Sequence, residues 1–410
     1  MSDAQKAVLA CGEVAAAAAG RLAAAPDSVI DAALRGLAEL LTERAEPVLA
    51  ANAADLAAGA EAGLGRGLLD RLRLDPARIL DMARQLRLLA EAPFPPDSHP
   101  VRELPGGLRL TERRVPVGVI GANFEARPNV TIDIASQLLK SRNAGVLRTG
   151  GAALRSAAAL ADEVIAPALD TAGLDPGTVQ LVRSADREAA AELVRQPGLI
   201  PLVILRGSGD TTRSLAAAAA ACGVRTLAHA DGGGVLYLDR AADPALATEL
   251  ITASLDRLGV CNRLNLLLIC SDVWEQRLPG VLDAVRGLDV TPSLPPHAHP
   301  LGHEWALDTG HEATVTIAPA DGPAAAAGMA NACTSGLAAS IVTADPEAAA
   351  EFLSGYRGTG AFWNASTRLL DGFKLRGVPE TGINVDHVPG PRGPVTFHDL
   401  CLRQYVVTPG

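Results

Sequence analysis

Cys261 lies in the run Leu258-Gly259-Val260-Cys261-Asn262-Arg263, between a helical pattern and the apolar stretch Leu264–Ile269. A thiol carried by a glycine-containing loop beside a strand is reachable by a substrate, and backbone N–H groups with Asn262 nearby offer donors for a developing oxyanion. The competing reading is a small buried hydrophobe, the usual fate of an isolated cysteine. Three glycine-bearing turns follow strand ends: Arg148-Thr149-Gly150-Gly151, Arg206-Gly207-Ser208-Gly209-Asp210-Thr211 and Asp231-Gly232-Gly233-Gly234. In the second, Gly207, Ser208 and Gly209 lead directly into a helix, where backbone N–H groups and the helix dipole suit a pyrophosphate. Thr212 stands where a dinucleotide fingerprint has its third glycine, and no Walker lysine follows, so an ordinary strand-to-helix turn is the alternative. Arg148 ends its strand with no acidic residue directly after it, which favours a ribose 2′-phosphate over a free 2′-hydroxyl, and so NADP.

These residues need a frame. At roughly 150 residues per domain, 410 residues predict two or three domains. The segments 28–45, 47–58 and 76–91 repeat apolar residues at three- and four-residue steps and read as helices. Prolines at 93, 95, 96 and 100 end that block, and Leu108–Arg114 after Pro105-Gly106-Gly107 reads as part of a hairpin. From residue 115, short apolar runs alternate with helical patterns: Val117–Ile120, Gly145–Arg148, Val179–Val182, Leu199–Leu205, Val224–Ala228 and Val235–Leu238. None alternates strictly, as expected of parallel strands covered on both faces. The fold class is therefore α/β. A second such unit is expected from Pro244, and the Pro- and His-rich stretch 286–312 reads as an exposed loop.

Composition removes several functions. Thirty-six basic against 46 acidic residues leave a formal charge of −10, and 3% aromatic content provides few stacking platforms, so nucleic acid is a poor partner. No stretch approaches 18 strongly apolar residues, and no basic, apolar leader opens the chain, so neither a membrane partner nor a secretory route is expected. Six scattered cysteines without a C-x-x-C pair suit reduced thiols in the cytoplasm. His297, His299 and His303 have loose metal-ligand spacing without a second cluster; the surface-loop reading is preferred and no metal is expected.

The segment Val115-Pro-Val-Gly-Val-Ile-Gly-Ala-Asn-Phe-Glu-Ala-Arg-Pro-Asn-Val-Thr131 and the later Leu139–Gly151 resemble the γ-glutamyl phosphate reductase family, a divergent branch of the aldehyde dehydrogenase superfamily. His229-Ala-Asp-Gly232, Gly259-Val-Cys-Asn262 and Trp363-Asn-Ala-Ser-Thr-Arg-Leu-Leu-Asp-Gly372 extend the resemblance over nearly the whole chain, in the family's order. It implies an aldehyde dehydrogenase-like fold in three parts: a Rossmann-like NADP-binding domain over 1–230, a catalytic α/β domain over 231–385, and an oligomerisation element made of the hairpin 103–115 with the segment 386–410. It also implies reduction of L-glutamyl 5-phosphate by NADPH to glutamate 5-semialdehyde through a thioester on Cys261, in a homo-oligomer fed by the kinase that makes the acyl phosphate. Hydrolytic relatives carry a glutamate base in the turn that reads His229-Ala230-Asp231-Gly232 here, and its absence suits an enzyme that must keep water from a thioester.

Within that resemblance Asn129 is the expected oxyanion donor, with a helix N-cap as the alternative, and Arg127, Asn262 and Arg368 are expected to hold the substrate's anionic groups. Lys140, by contrast, reads as a solvated helix residue. The chain departs from the family at Arg263, at Asn265, where a glutamate is usual, and at Arg142, where a glycine is usual. These changes open two alternatives, a paralogue acting on another acyl phosphate and a non-catalytic scaffold on the same fold. Asn265, four residues past the thiol, is expected to border the acyl pocket.

Overall fold

The computed structural model describes residues 1–207, 209–229, 232–308, 310–385 and 393–409. Five helices occupy the first 91 residues. In Asp27–Glu43 the buried positions are Ile30, Ala33, Leu34, Leu37, Ala38 and Leu41, a stripe at three- and four-residue steps. It meets Ile79, Met82, Ala83, Leu86 and Leu89 of Pro76–Glu91, whose first turn is capped by the Asp75 carboxylate accepting from Arg78 N–H at 2.8 Å. Burying such a stripe is worth about 1.5–3 kcal/mol per large side chain.

Two parallel sheets follow. The first has the spatial order Val179–Leu181, Ala144–Thr149, Val119–Phe124, Leu202–Arg206, Arg225–His229. The chain therefore starts in the middle, builds outward on one side and then crosses to the other. Ligands of such sheets sit where the direction of building reverses, past the carboxyl ends of the strands, which here is the gap between Phe124 and Arg206. The second sheet runs Thr291–Ser293, Thr314–Ala320, Leu264–Cys270, Gly234–Leu238, Ala338–Val342, Gly360–Trp363, all parallel. Strands such as Val119–Phe124 and Leu264–Cys270 are buried at every position, which is why their sequences do not alternate. The first sheet ends at His229 and the second begins at Gly234, so the carboxyl edge of one faces the amino edge of the other.

An antiparallel sheet of Ser98–Leu104, Leu108–Pro116 and Cys401–Pro409 stands apart from both. Its hairpin is longer than the expected 103–115, and Gly106 and Gly107 supply the positive φ of its turn (81° and 72°). The tail does more than extend this sheet. Gly393–Val395 pairs with Gly382–Asn384 beside the first parallel sheet, and Phe397 and Leu400 enter the core under the helix Asn129–Lys140.

Two expectations are corrected. The stretch 286–312 is not an exposed loop: it contains the strand Thr291–Ser293 and buries Trp305 and Ala306, because Asn265 holds its backbone. Lys140 is not solvated but fully buried, with Nζ 2.8 Å from Asp31 Oδ1 and 3.8 Å from the centre of the Phe94 ring. The three histidines gather around Ser293 and Trp305, with His303 and Trp305 rings edge to face at 4.4 Å.

Candidate active site

The loop carrying Cys261 is fixed by backbone laid against backbone. Gly233 N–H donates to Cys261 C=O and Gly234 N–H to Arg263 C=O, each at 2.6 Å. A Cβ on Gly232 would lie 2.6 Å from the Cys261 carbonyl oxygen and 2.8 Å from its Cα and Cβ, and one on Gly234 would lie 2.7 Å from Thr367. Gly233 itself has φ 99°. The third glycine turn is thus no phosphate loop but a strap whose missing side chains let it reach the thiol.

The other side of the loop is held by 366–370. Asn262 donates to Leu370 C=O at 2.9 Å and to Arg368 C=O at 3.4 Å, and its oxygen accepts from the Arg368 guanidinium, which also pairs with Asp256 at 2.7 Å. Thr367 Oγ1 donates to Asn262 C=O at 2.8 Å. Asn262 and Arg368, expected to hold substrate, line the cavity but spend their polar atoms on presenting the thiol.

His229, at the carboxyl end of its strand, has Nδ1 2.7 Å from Ile383 C=O. A carbonyl only accepts, so Nδ1 carries the proton and Nε2 is the nitrogen left for Cys261. Burial alone would raise the thiol, but His229, Arg127 and Arg206 outweigh it and bring Cys261 down to about 6. Burial would likewise lower His229, and the facing thiolate and the Ile383 carbonyl push it up instead. Both shifts favour a thiolate–imidazolium pair, an arrangement that suits a nucleophile at neutral pH.

The sulfur opens onto a cavity of about 310 Å³ lined by both cationic and acidic side chains. Arg71, Arg127 and Arg206 are among the cations. Arg71 and Arg127 both donate to Gly259 C=O, at 2.7 and 3.1 Å. Burial, with Arg71 beside it, lowers Arg127 to about 10, still charged at neutral pH. Asp133 and Glu380 line the same cavity, each pushed up to about 7, chiefly by burial. Asn129 lines this cavity, but it neither caps its helix nor stands free: it is the first helical residue, and its amide donates to Asp133 at 2.9 Å, leaving one N–H for a ligand.

A second cleft, of about 650 Å³, lies at the switch point of the first sheet and is lined by Asn123, Arg148, Gly150, Arg187, Gly207 and Thr211 among others. The helix Gly209–Ala221 starts at its edge. Ser208 lies outside the described residues. Arg148 is largely committed to Asn123 Oδ1 and the carbonyls of Ala185 and Asp186, at 3.2, 3.5 and 2.9 Å, with its Nε unpartnered; Arg187 is exposed and makes no side-chain bond among the described residues. A helix N-terminus, two glycines and two cations over one cleft fit a dinucleotide.

Sequence reasoning missed His229 and Arg206 as parts of the site. His229 did stand in a turn singled out for a lost glutamate, and Arg206 ended a strand before a glycine turn; those were the available signals. The two departures offered as substrate determinants are structural. Asn265 donates to His303 C=O at 2.6 Å and accepts from Trp305 N–H at 3.1 Å, outside the cavity lining. Arg142, at φ 57°, pairs with Asp27 and the Ala25 carbonyl and stacks on Phe94.

The sequence profile of the aldehyde dehydrogenase family matches residues 2–302. A gamma-glutamyl phosphate reductase of Clavibacter michiganensis is 38% identical over 96% of this chain and 92% of its own, and one of Moorella thermoacetica 36% identical over 97% and 96%. The crystal structure of the gamma-glutamyl phosphate reductase of Thermotoga maritima superposes with a TM-score of 0.86 at 27% identity, covering 98% of each chain. An acetylating aldehyde dehydrogenase of Geobacillus thermoglucosidasius shares the fold at 15% identity, with a TM-score of 0.74 over 99% of this chain and 97% of its own. With a thiol beside His229 at the junction of two parallel sheets and these relatives along its whole length, the chain is an oxidoreductase of the aldehyde dehydrogenase family, in the branch of the gamma-glutamyl phosphate reductases.

Proposed function

We propose that the protein reduces L-glutamyl 5-phosphate to L-glutamate 5-semialdehyde with NADPH, releasing phosphate, as a step toward proline. The observation that carries this reading is the Cys261–His229 pair set between Arg127 and Arg206. A thiolate is the nucleophile an acyl phosphate needs. Attack of Sγ on the acyl carbon expels phosphate and leaves a thioester, and the departing trianion needs one proton, which the His229 imidazolium holds at Nε2. When bound, the nicotinamide supplies hydride to the thioester carbon; Arg148, Arg187, Gly150, Gly207 and the start of the helix Gly209–Ala221 are the groups that would hold the dinucleotide. Asn129 and the Cys261 N–H are the donors for the resulting oxyanion. Its collapse breaks the C–S bond and returns Cys261 as thiolate.

The mixed cationic and acidic lining of the cavity supports a substrate carrying both an ammonium group and anions, as an amino-acid acyl phosphate does. Since Asn265 and Arg142 lie away from the cavity, neither argues for a different acyl group. Exposed Leu402, Tyr405 and Val407 on the outer strand of the small sheet support its assignment to self-association, and the lability of an acyl phosphate calls for a nearby carboxylate kinase. The test is phosphate-dependent reduction of NADP⁺ by a panel of semialdehydes. The glutamate-derived aldehyde should be used best by at least tenfold; a different best aldehyde transfers the reading to another acyl phosphate, and no phosphate dependence removes it.

A further inference from the structure

Six arginines line the cavity in front of Cys261, and their hydrogen bonds separate them. Arg71 is held by Gly259 C=O at 2.7 Å, Ala306 C=O at 3.5 Å and the Glu125 carboxylate at 3.6 Å. Arg78 and Arg257 share the Asp70 carboxylate, at 2.6 and 3.0 Å. Arg368 is divided between Asp256 and Asn262. Arg127 and Arg206 are different. Arg127 makes one side-chain bond, to Gly259 C=O at 3.1 Å, and Arg206 one, to Thr381 C=O at 3.0 Å. Neither has a carboxylate within ion-pair distance among the described residues, so each guanidinium keeps most of its five N–H donors for something else.

Position narrows what that is. Arg206 ends the strand Leu202–Arg206 and lines both the thiol cavity and the dinucleotide cleft, so it stands where the two meet. Arg127 and Arg206 both act on the Cys261 sulfur, and Arg206 also on His229. Whatever group leaves the acyl carbon when sulfur attacks departs into the cavity that this pair and Cys261 line together. A tetrahedral oxyanion with several equivalent oxygens matches two guanidinium forks, each able to bind two oxygens at once.

We propose that Arg206, with Arg127, forms the phosphate seat: it binds the phosphoryl group of the acyl phosphate in the reductive direction and inorganic phosphate in the oxidative one. This rests on the acyl-phosphate reading of the site. In the oxidative direction a phosphate oxygen bonds to the thioester carbon, the C–S bond breaks with its electron pair returning to Cys261, and the phosphate proton passes to His229 Nε2.

The experiment uses the full-length enzyme and two readouts. First, phosphate should slow alkylation of Cys261 by iodoacetamide in a saturable way without cofactor or aldehyde. Arg206→Met should raise the half-protecting phosphate concentration at least tenfold, and Arg206→Lys by less. Second, the KM for phosphate in semialdehyde oxidation should rise by the same factor, in the same order of variants. Arg206→Met with its alkylation pH midpoint moved but phosphate protection and phosphate KM unchanged would show that Arg206 acts only on the thiol, and overturns the seat. Absence of protection in the parent enzyme overturns it too. Protection in the parent without phosphate-dependent oxidation of any semialdehyde leaves the seat standing and removes the acyl-phosphate reading instead. Arg206→Lys, which keeps the charge, guards against a Met variant that fails to fold.

Discussion

The turn at 207–209 and the turn at 232–234 are nearly interchangeable as strings of small residues after a strand, yet they solve opposite problems. Gly207 faces a cleft: a Cβ there would meet Thr212 Oγ1 at 3.3 Å and little else but Glu125 Cγ at 3.9 Å. Gly232 faces protein, with three atoms of Cys261 inside 2.9 Å of where its Cβ would be. One turn leaves room for a ligand and the other removes room so that two backbones can touch. What fills the space of the missing side chain decides the role of a glycine, and that occupant is rarely a sequence neighbour.

On the proposed reading 232–234 presents the thiol while Gly207 and Gly209 border the dinucleotide cleft, and substitutions can separate the two. Removing what the strap presents should have the largest effect: Cys261→Ala should lose at least about a thousandfold in kcat while the melting temperature stays within a few degrees, because the sulfur adds little packing. Residual activity above a tenth would take Cys261 out of the chemistry. Gly232→Ala comes next. Its Cβ cannot be accommodated without moving Cys261, so turnover and iodoacetamide labelling should fall together, by about a hundredfold; a loss of turnover with labelling intact would mean the strap does not set the thiol.

His229→Gln should shift the alkylation midpoint upward from about 6. The imidazolium favours the thiolate, so removing it raises the thiol pKa, and a rise of one unit or more cuts the rate on the rising limb about tenfold. An unmoved midpoint would assign the thiol's activation to the arginines alone. Smallest is Gly207→Ala, which should raise the cofactor KM several-fold with labelling untouched. Arg187→Ala should likewise narrow the preference for NADPH over NADH by about tenfold, since a charge-assisted bond is worth about 1.5–3 kcal/mol. If either changes Cys261 labelling instead, the two turns are not separate in function.

Local pattern made much of this architecture legible. The stripe Ile30, Ala33, Leu34, Leu37, Ala38 and Leu41 declares its helix, and apolar runs such as Val235–Leu238 declare buried strands, because burial periodicity is a property of neighbouring residues. Sequence distance hid the rest. Trp305 is buried because Asn265, 40 residues earlier, takes hold of its backbone. Lys140 is buried because Asp31 and Phe94 surround its ammonium group. His229 joins the site because a carbonyl 154 residues later fixes its tautomer. The motif of Cys261 located the candidate thiol; nothing near it in sequence could name the groups that charge it.

The contact between His229 and Ile383 also has a bearing on synthesis. A growing chain contains Cys261 and its strap long before residues 381–383 leave the ribosome, and until then His229 Nδ1 lacks its acceptor and Arg206 lacks the Thr381 carbonyl that aims it. Two of the groups beside the thiol, His229 and Arg206, are thus held in place by a segment more than 100 residues downstream of Cys261.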